Sequence, residues 1–294
     1  MTGRDVYGKP PRRRPRAQTG ISRRTLLGLR LTSPARRDID WGALTARVRA
    51  GWERDGHEPL LRALEPVADV VAELAAIGPE MHVLDVGTGD GNLALAAVRR
   101  GARVEACDLA PAMLARGRGR CATDGIGWRV ADVQELPYRD GEFDAVLSTF
   151  GASEAPRAAR AASELVRVVR PGGIVALTAW VPRGLPGRVD ELVEPYAPLP
   201  DGVQPPSDWG RQDVARARLE PLLDELQLLT RTVTLRFSSP DSLFDALLRP
   251  LPLAPHDRDA VRPDLERVLA SCNSRPPEVE VSARYLIALG RRAP

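Results

Sequence analysis

Apolar positions along the chain change rhythm twice. From Trp41 they recur at spacings of three and four, and Trp41, Leu44, Val48 and Trp52 mark one amphipathic helix. A second helix is expected from Pro59 to Ile77, with Leu60, Leu61, Leu64, Val67, Val70, Val71 and Leu74 apolar and Gly78-Pro79 ending it. The pattern then shortens to apolar runs at His82–Val86, Val104–Cys107, Trp128–Val130, Ala145–Ser148 and Ile174–Trp180. Helical stretches separate them at Leu93–Arg100, Pro111–Thr123 and Pro156–Val169. Strands alternating with helices predict a parallel sheet covered on both faces, and right-handed crossovers make it doubly wound.

After Trp180 the pattern weakens. Residues 182–210 hold seven prolines, so an irregular segment is expected there, with a short helix near Val189–Tyr196. A helix at Asp213–Leu226, a strand at Leu228–Phe237, helices at Ser242–Leu248 and Ala260–Ala270, and a strand at Val279–Leu289 complete the pattern. The expected fold is an α/β, mostly parallel, seven-stranded doubly wound sheet with an N-terminal helical lid. Its organisation reads as a basic arm over 1–40, lid helices over 41–79, a cofactor-binding core over 80–181, and a substrate-side segment over 182–294 that finishes the sheet.

Charge changes the picture at the N-terminus. The first 40 residues carry ten arginines and Lys9 against Asp5, Asp38 and Asp40, whereas the whole chain has a net charge of only +3. The body is therefore acidic. The arm, with Pro10, Pro11 and Pro15 among its arginines, lacks the apolar pattern to offset its ordering entropy and is expected to be disordered. Ser22-Arg23-Arg24-Thr25-Leu26-Leu27 resembles a twin-arginine export signal, but Arg30 breaks the apolar run too early for one. Cys107, Cys121 and Cys272 form no CxxC pair, which excludes a disulfide scaffold or zinc ribbon and fits a reducing cytoplasm. With histidines only at 57, 82 and 256, no metal site is expected. No stretch approaches the roughly 20 apolar residues of a membrane span.

The chemistry concentrates in Val83-Leu84-Asp85-Val86-Gly87-Thr88-Gly89-Asp90-Gly91-Asn92-Leu93. A strand runs into three alternating glycines and then a helix start, which offers free N–H groups at the carboxyl edge of the sheet. The dinucleotide fingerprint is GxGxxG. Here the spacing is GxGxG with Asp85 just ahead, a setting better suited to a cationic ligand than to a pyrophosphate. Asp108 ends the next strand 21 residues after Gly87, where an acidic side chain meets ribose hydroxyls. Asp132 ends the strand after that, placed for an adenine edge.

With these segments in view, the chain resembles a class I S-adenosylmethionine-dependent methyltransferase of the ubiquinone/menaquinone C-methyltransferase-like branch. The resemblance rests on Asp85–Asn92, Cys107–Leu114, Ala131–Pro137, Phe143–Gly151 and Glu164–Gly173, in family order over about residues 80–180. It implies that Gly87, Thr88, Gly89, Gly91 and Asn92 line the methionine moiety, with Asp85 near its ammonium group. Asp108 would hold the ribose, Leu109 and Met113 would pack on adenine, and Asp132 and Val133 would meet its amino edge. Ser148, Thr149 and Phe150 would lie beside the transferring methyl. Two departures stand out: Ala131 replaces the usual glycine, and Ala152-Ser153-Glu154-Ala155-Pro156 replaces an apolar aromatic pair, so a more polar substrate mouth is expected.

Methyl transfer depends mainly on positioning, and a base is needed only for a weak nucleophile. His57, ahead of the second helix, is the candidate base, with a surface histidine as the simpler reading. Glu53, Tyr196 and Trp209 read as pocket walls. The favoured function is methylation of an O, N or C atom of a small molecule. Two alternatives stand beside it: a nucleic-acid methyltransferase guided by the arm, and a non-catalytic S-adenosylmethionine-binding protein. Against the first, Ser148-Thr149-Phe150-Gly151 lacks the Asn/Asp-Pro-Pro-aromatic pattern of base-amino methylation, and the acidic body has no basic platform with interleaved aromatics. The pattern assigns neither an acceptor nor an oligomeric state.

Removing residues 1–38 is expected to leave the melting temperature and donor affinity nearly unchanged while abolishing salt-sensitive retention on heparin. Co-elution of the full and shortened chains would show that the arm does not engage polyanions.

Overall fold

The computed structural model describes residues 38–121, 125–270 and 278–294. The expectations for the basic arm up to residue 37, the last residues of the helix begun at Pro111, and Cys272 lie outside them. Helix α1 spans Trp41–Trp52, and the Asp40 side chain caps it by accepting from the Ala43 N–H at 2.9 Å. Helix α2 spans Glu58–Leu74, entered through Pro59, and buries one face of Leu60, Leu61, Val67, Ala68, Val71 and Ala72.

Strands and helices then alternate: β1 His82–Val86, α3 Asn92–Val98, β2 Arg103–Asp108, α4 Pro111–Arg120, β3 Ile126–Val130, β4 Phe143–Thr149, α5 Ala158–Val168 and β5 Val169–Trp180. The rest comprises α6 Leu185–Val193, α7 Gln212–Leu219, β6 Leu223–Phe237, α8 Pro240–Leu248, α9 Pro255–Ala270 and β7 Val279–Arg292. The seven strands form one sheet in the order β3-β2-β1-β4-β5-β7-β6. Strands β1 to β5 are mutually parallel, and β7 runs antiparallel between β5 and β6. This is the expected doubly wound sheet, finished by the last two strands.

Burial on both faces explains why the central strands read as continuous apolar runs. Val83, Ala145 and Ala176 pack into one core with α2, α3, α6, α8 and α9, while Leu84, Val86, Val146, Val175 and Leu177 pack into the other with α5 and α7. The chain leaves β1 toward β2 and β3, then returns to place β4 on the other side of β1. That reversal opens a crevice beyond the carboxyl ends of β1 and β4, the place where such sheets bind ligands.

Several boundaries differ from expectation: β5 begins at Val169 rather than Ile174, α9 at Pro255 rather than Ala260, and β7 runs on to Arg292. The helix expected to reach Leu226 stops at Leu219, and β6 begins at Leu223 rather than Leu228. Pro221 accounts for the end of the helix, because it has no N–H with which to continue the intrahelical bonding. The short helix expected at Val189–Tyr196 instead runs Leu185–Val193, with Pro186 in its first turn, where a missing N–H costs nothing. No described helix is long and apolar enough to cross a membrane.

Leu84 is fully buried in β1 at the centre of the sheet. Leu84→Ala is expected to destabilise the domain by about 2–5 kcal/mol, measured by urea denaturation. A loss under about 1 kcal/mol would mean that the site collapses around the gap.

Candidate active site

The turn after β1 is held from beneath by Asp85. Its Oδ2 accepts from the Thr88 hydroxyl at 2.6 Å and from the Ala94 N–H at 2.9 Å, while Oδ1 has no partner. Asp85 is fully buried and does not line the crevice. The carboxylate therefore ties the glycine turn to the start of α3. Gly87 adopts φ +64°, and a Cβ there would lie 2.6 Å from the Cα of Gly151. The loops leaving β1 and β4 consequently touch backbone to backbone. Gly91, at φ +92°, packs beneath Trp128 away from the crevice.

Asp108 closes the turn from the side. Its Oδ2 accepts from the Gly89 N–H and its Oδ1 from the Ala110 N–H, each at 2.9 Å. Asp132 Oδ1 accepts from the Gln134 N–H at 2.8 Å, and the Gln134 side chain donates to both Asp132 oxygens. The same amide reaches Thr45 of α1 at 2.9 Å and accepts from the Arg157 N–H at 3.0 Å. Asn92 reaches α2 by donating to the Leu61 carbonyl at 2.7 Å. The N-terminal helices are thereby fastened over the crevice by two amides.

A cavity of about 180 Å3 occupies this crevice. Of the residues expected at the site, Gly87, Thr88, Gly89, Asn92, Asp108, Leu109, Met113, Asp132, Val133, Thr149 and Phe150 line it. Ser148 does not; its hydroxyl donates to the Val86 carbonyl at 2.7 Å and accepts from the Ala152 N–H at 2.9 Å. Phe150, at φ +64°, donates its N–H to the Thr178 hydroxyl and stacks on Trp180 with centroids 4.1 Å apart. Val48 and Trp52 of α1 and Leu60, Leu61 and Leu64 of α2 supply the roof.

His57 is not brought to the cavity. It is fully buried, its Nε2 lies 3.2 Å from the Gly51 carbonyl, and its ring packs on Trp52 with centroids 4.8 Å apart. Burial lowers its pKa, which keeps it neutral. This geometry offers no path for it to act as the base. Glu53, Tyr196 and Trp209, expected as pocket walls, are also absent from the lining. Glu53 instead accepts from the Ala112 N–H at the start of α4, and Trp209 is buried beneath the Arg218 guanidinium. Among the described residues no cluster of histidine, cysteine and carboxylates is arranged to hold a metal ion.

Two lining carboxyls were missed. Glu154 lies in the 3₁₀ turn Ala152–Glu154 after β4, and Asp190 lies in α6. Burial pushes the Glu154 carboxyl up to about 8, and the charge of Asp190 adds to the effect. Burial also raises Asp190, against the pull of its hydrogen bonds with Ser207. The polar replacement after Phe150 was the available signal for Glu154. Asp190 sits in a helix whose place over the sheet no local pattern discloses. Among the described residues the cavity lining thus holds four acids, Asp108, Asp132, Glu154 and Asp190, and no arginine, lysine or histidine.

A doubly wound sheet with a glycine turn at its switch point defines a Rossmann-like enzyme of nucleoside-bearing cofactors. Residues 84–177 match the family described as a methyltransferase domain. An uncharacterised protein of Mycobacterium tuberculosis is 38% identical over 186 residues, covering 62% of this chain and 68% of its own. The ubiquinone/menaquinone biosynthesis C-methyltransferase of Paracoccus denitrificans is 39% identical over 98 residues, 31% of this chain and 39% of that one. Among solved structures, the YcgJ protein of Bacillus subtilis superposes with a TM-score of 0.55 at 17% identity, covering 77% of this chain and 98% of that one. A phosphoethanolamine N-methyltransferase of Haemonchus contortus, solved with S-adenosylhomocysteine, superposes at 0.56 and 16% identity, covering 84% and 60%. The chain belongs to the class I S-adenosylmethionine-dependent methyltransferases.

The buried acids make stability depend on pH. Burial pushes Asp85 up to about 7 and Asp108 up to about 6. A raised carboxyl holds its proton in the folded state where the unfolded chain releases it, so stability is lost as pH rises through the folded value. His57 has the opposite sign, but its contribution ends near its ordinary value of 6.5. The ligand-free melting temperature is expected to fall between about pH 6.5 and 8, with Glu154 contributing beside Asp85, and Asp85→Asn to lessen the part of that fall below about pH 7.5. An unchanged slope in the variant would mean that Asp85 does not titrate there.

Proposed function

We propose that this methyltransferase moves a methyl group from S-adenosylmethionine to an O, N or C nucleophile of a small molecule. The observation that supports this reading is the cavity at the switch point, built on a glycine turn, lined by four acids and free of basic side chains. A dinucleotide would bring a pyrophosphate to this turn without a cation to meet it. S-adenosylmethionine carries a sulfonium and an ammonium and no phosphate, and the sulfonium supplies an activated methyl group.

In this reading Gly87, Thr88 and Gly89 enclose the methionine end, and Asp108 accepts from the ribose hydroxyls. Leu109 and Met113 pack on adenine, while Asp132 and Val133 meet its amino edge. Thr149 and Phe150 stand where the methyl is presented. Asp85 acts as a positioning residue, holding the turn from behind rather than touching the donor. The roof from α1 and α2 excludes water and orients the acceptor for in-line displacement, where alignment supplies much of the rate. The acidic walls disfavour a polyanionic substrate, which speaks against the nucleic-acid alternative. Turnover of any acceptor would set aside a purely binding role.

Titration calorimetry tests the reading directly. S-adenosylhomocysteine is expected to bind and NAD to give no heat. Asp108→Asn is expected to weaken binding about ten- to hundred-fold, the cost of losing charge-assisted hydrogen bonds. Binding of NAD with no response to the sulfur ligand would overturn the assignment.

A further inference from the structure

A second cavity, of about 570 Å3, lies against the first. The two share Val48 and Trp52 of α1, Glu154, Asp190, and Pro206 and Ser207 of the Pro-rich segment. Glu154 and Asp190 therefore stand at the junction between the donor cavity and an antechamber. No hydrogen bond or ion pair reaches the Glu154 carboxyl among the described residues. Asp190 accepts only from Ser207, at 3.1 Å from its N–H. Farther out, Glu191, Glu194, Asp201 and Asp208 line the antechamber, with Arg47 as the single base among the described residues. Leu44, Val48, Trp52, Leu199 and Leu251 give it apolar walls.

Two half-buried carboxyls at one junction, with no cationic partner among the described residues, are stabilised either by holding a proton or by a ligand that brings positive charge. An anionic acceptor would face their charge, and a neutral one would make no use of it. Resting on the reading of the first cavity as the donor site, we propose that the methyl acceptor is an amine with an apolar body, its nitrogen seated between Glu154 and Asp190.

The amine arrives as an ammonium, which cannot attack. Its proton passes to the Glu154 carboxylate, freeing the nitrogen lone pair. That pair forms the new N–C bond while the methyl–sulfur bond breaks and leaves its electrons on sulfur. The product leaves as an N-methylammonium, and Glu154 returns its proton to water. A carboxyl pushed up to about 8 suits this exchange, because it takes and releases a proton near neutrality.

The test uses the full-length chain saturated with S-adenosylhomocysteine and three probes of one shape: 2-phenylethylamine, 2-phenylethanol and 3-phenylpropanoate. Calorimetry is expected to show the amine binding at least about tenfold tighter than the alcohol, with the carboxylate weakest. Glu154→Gln/Asp190→Asn is expected to erase that preference, each variant being measured at its own saturating S-adenosylhomocysteine concentration. The single variants Glu154→Gln and Asp190→Asn are measured in parallel, so the comparison survives if the double variant fails to fold. Equal or tighter binding of the alcohol or carboxylate, binding of none of the three, or an amine preference that survives the substitutions would overturn the proposal. Failure of the parent chain to bind S-adenosylhomocysteine would instead overturn the donor-site reading on which it rests.

Discussion

The backbone contact between Gly87 and Gly151 governs this site. One residue leaves β1 and the other leaves β4, and neither has room for a Cβ against its neighbour. The contact brings together the two loops whose residues line the cavity at the switch point. The residue just before Gly151, Phe150, takes a left-handed conformation and is held there by Thr178 and the Trp180 ring. Such a conformation costs on the order of 1–3 kcal/mol in a non-glycine residue, which surrounding packing must offset.

Charge is the second organising feature. Asp85, Asp108 and Glu154 all have raised pKa values because they are withdrawn from water, each at a different depth. Asp85 serves the turn, with hydrogen bonds to Thr88 and Ala94. Asp108 serves both the turn and the cavity, which it lines. Glu154 lines the cavity without serving the turn, and has no hydrogen-bond or ion-pair partner among the described residues. The progression from structural to unpartnered carboxyl follows the path from the sheet edge to the antechamber.

The lid follows from a few polar links. Gln134 joins Asp132, α1 and the start of α5, and Asn92 joins α3 to α2. These bonds span three or more elements, so spacing along the chain does not disclose them. His57 shows the same limit in reverse. Its position before α2 suggested a lid-borne base, but the helix start turns the ring toward Gly51 and Trp52 and away from the cavity. A local pattern places a residue on an element, and the packing of that element decides which way the side chain faces.

Much of this protein was nonetheless legible in its sequence. Apolar runs alternating with helical periodicity specify a parallel sheet, because strands buried on both faces need no polar alternation. The glycine turn and the acids at the ends of β1, β2 and β3 read directly, since turn chemistry and strand ends are local properties. Pro221 was equally visible, yet the helix was expected to run through it to Leu226, whereas α7 ends at Leu219. What only the tertiary structure decided was direction and company: that Asp85 faces the turn, that Ser148 ties β4 to β1, and that Glu154 and Asp190 meet across two cavities. Those outcomes depend on where elements distant in the chain cross, and burial at such crossings sets the ionisation that local sequence leaves open.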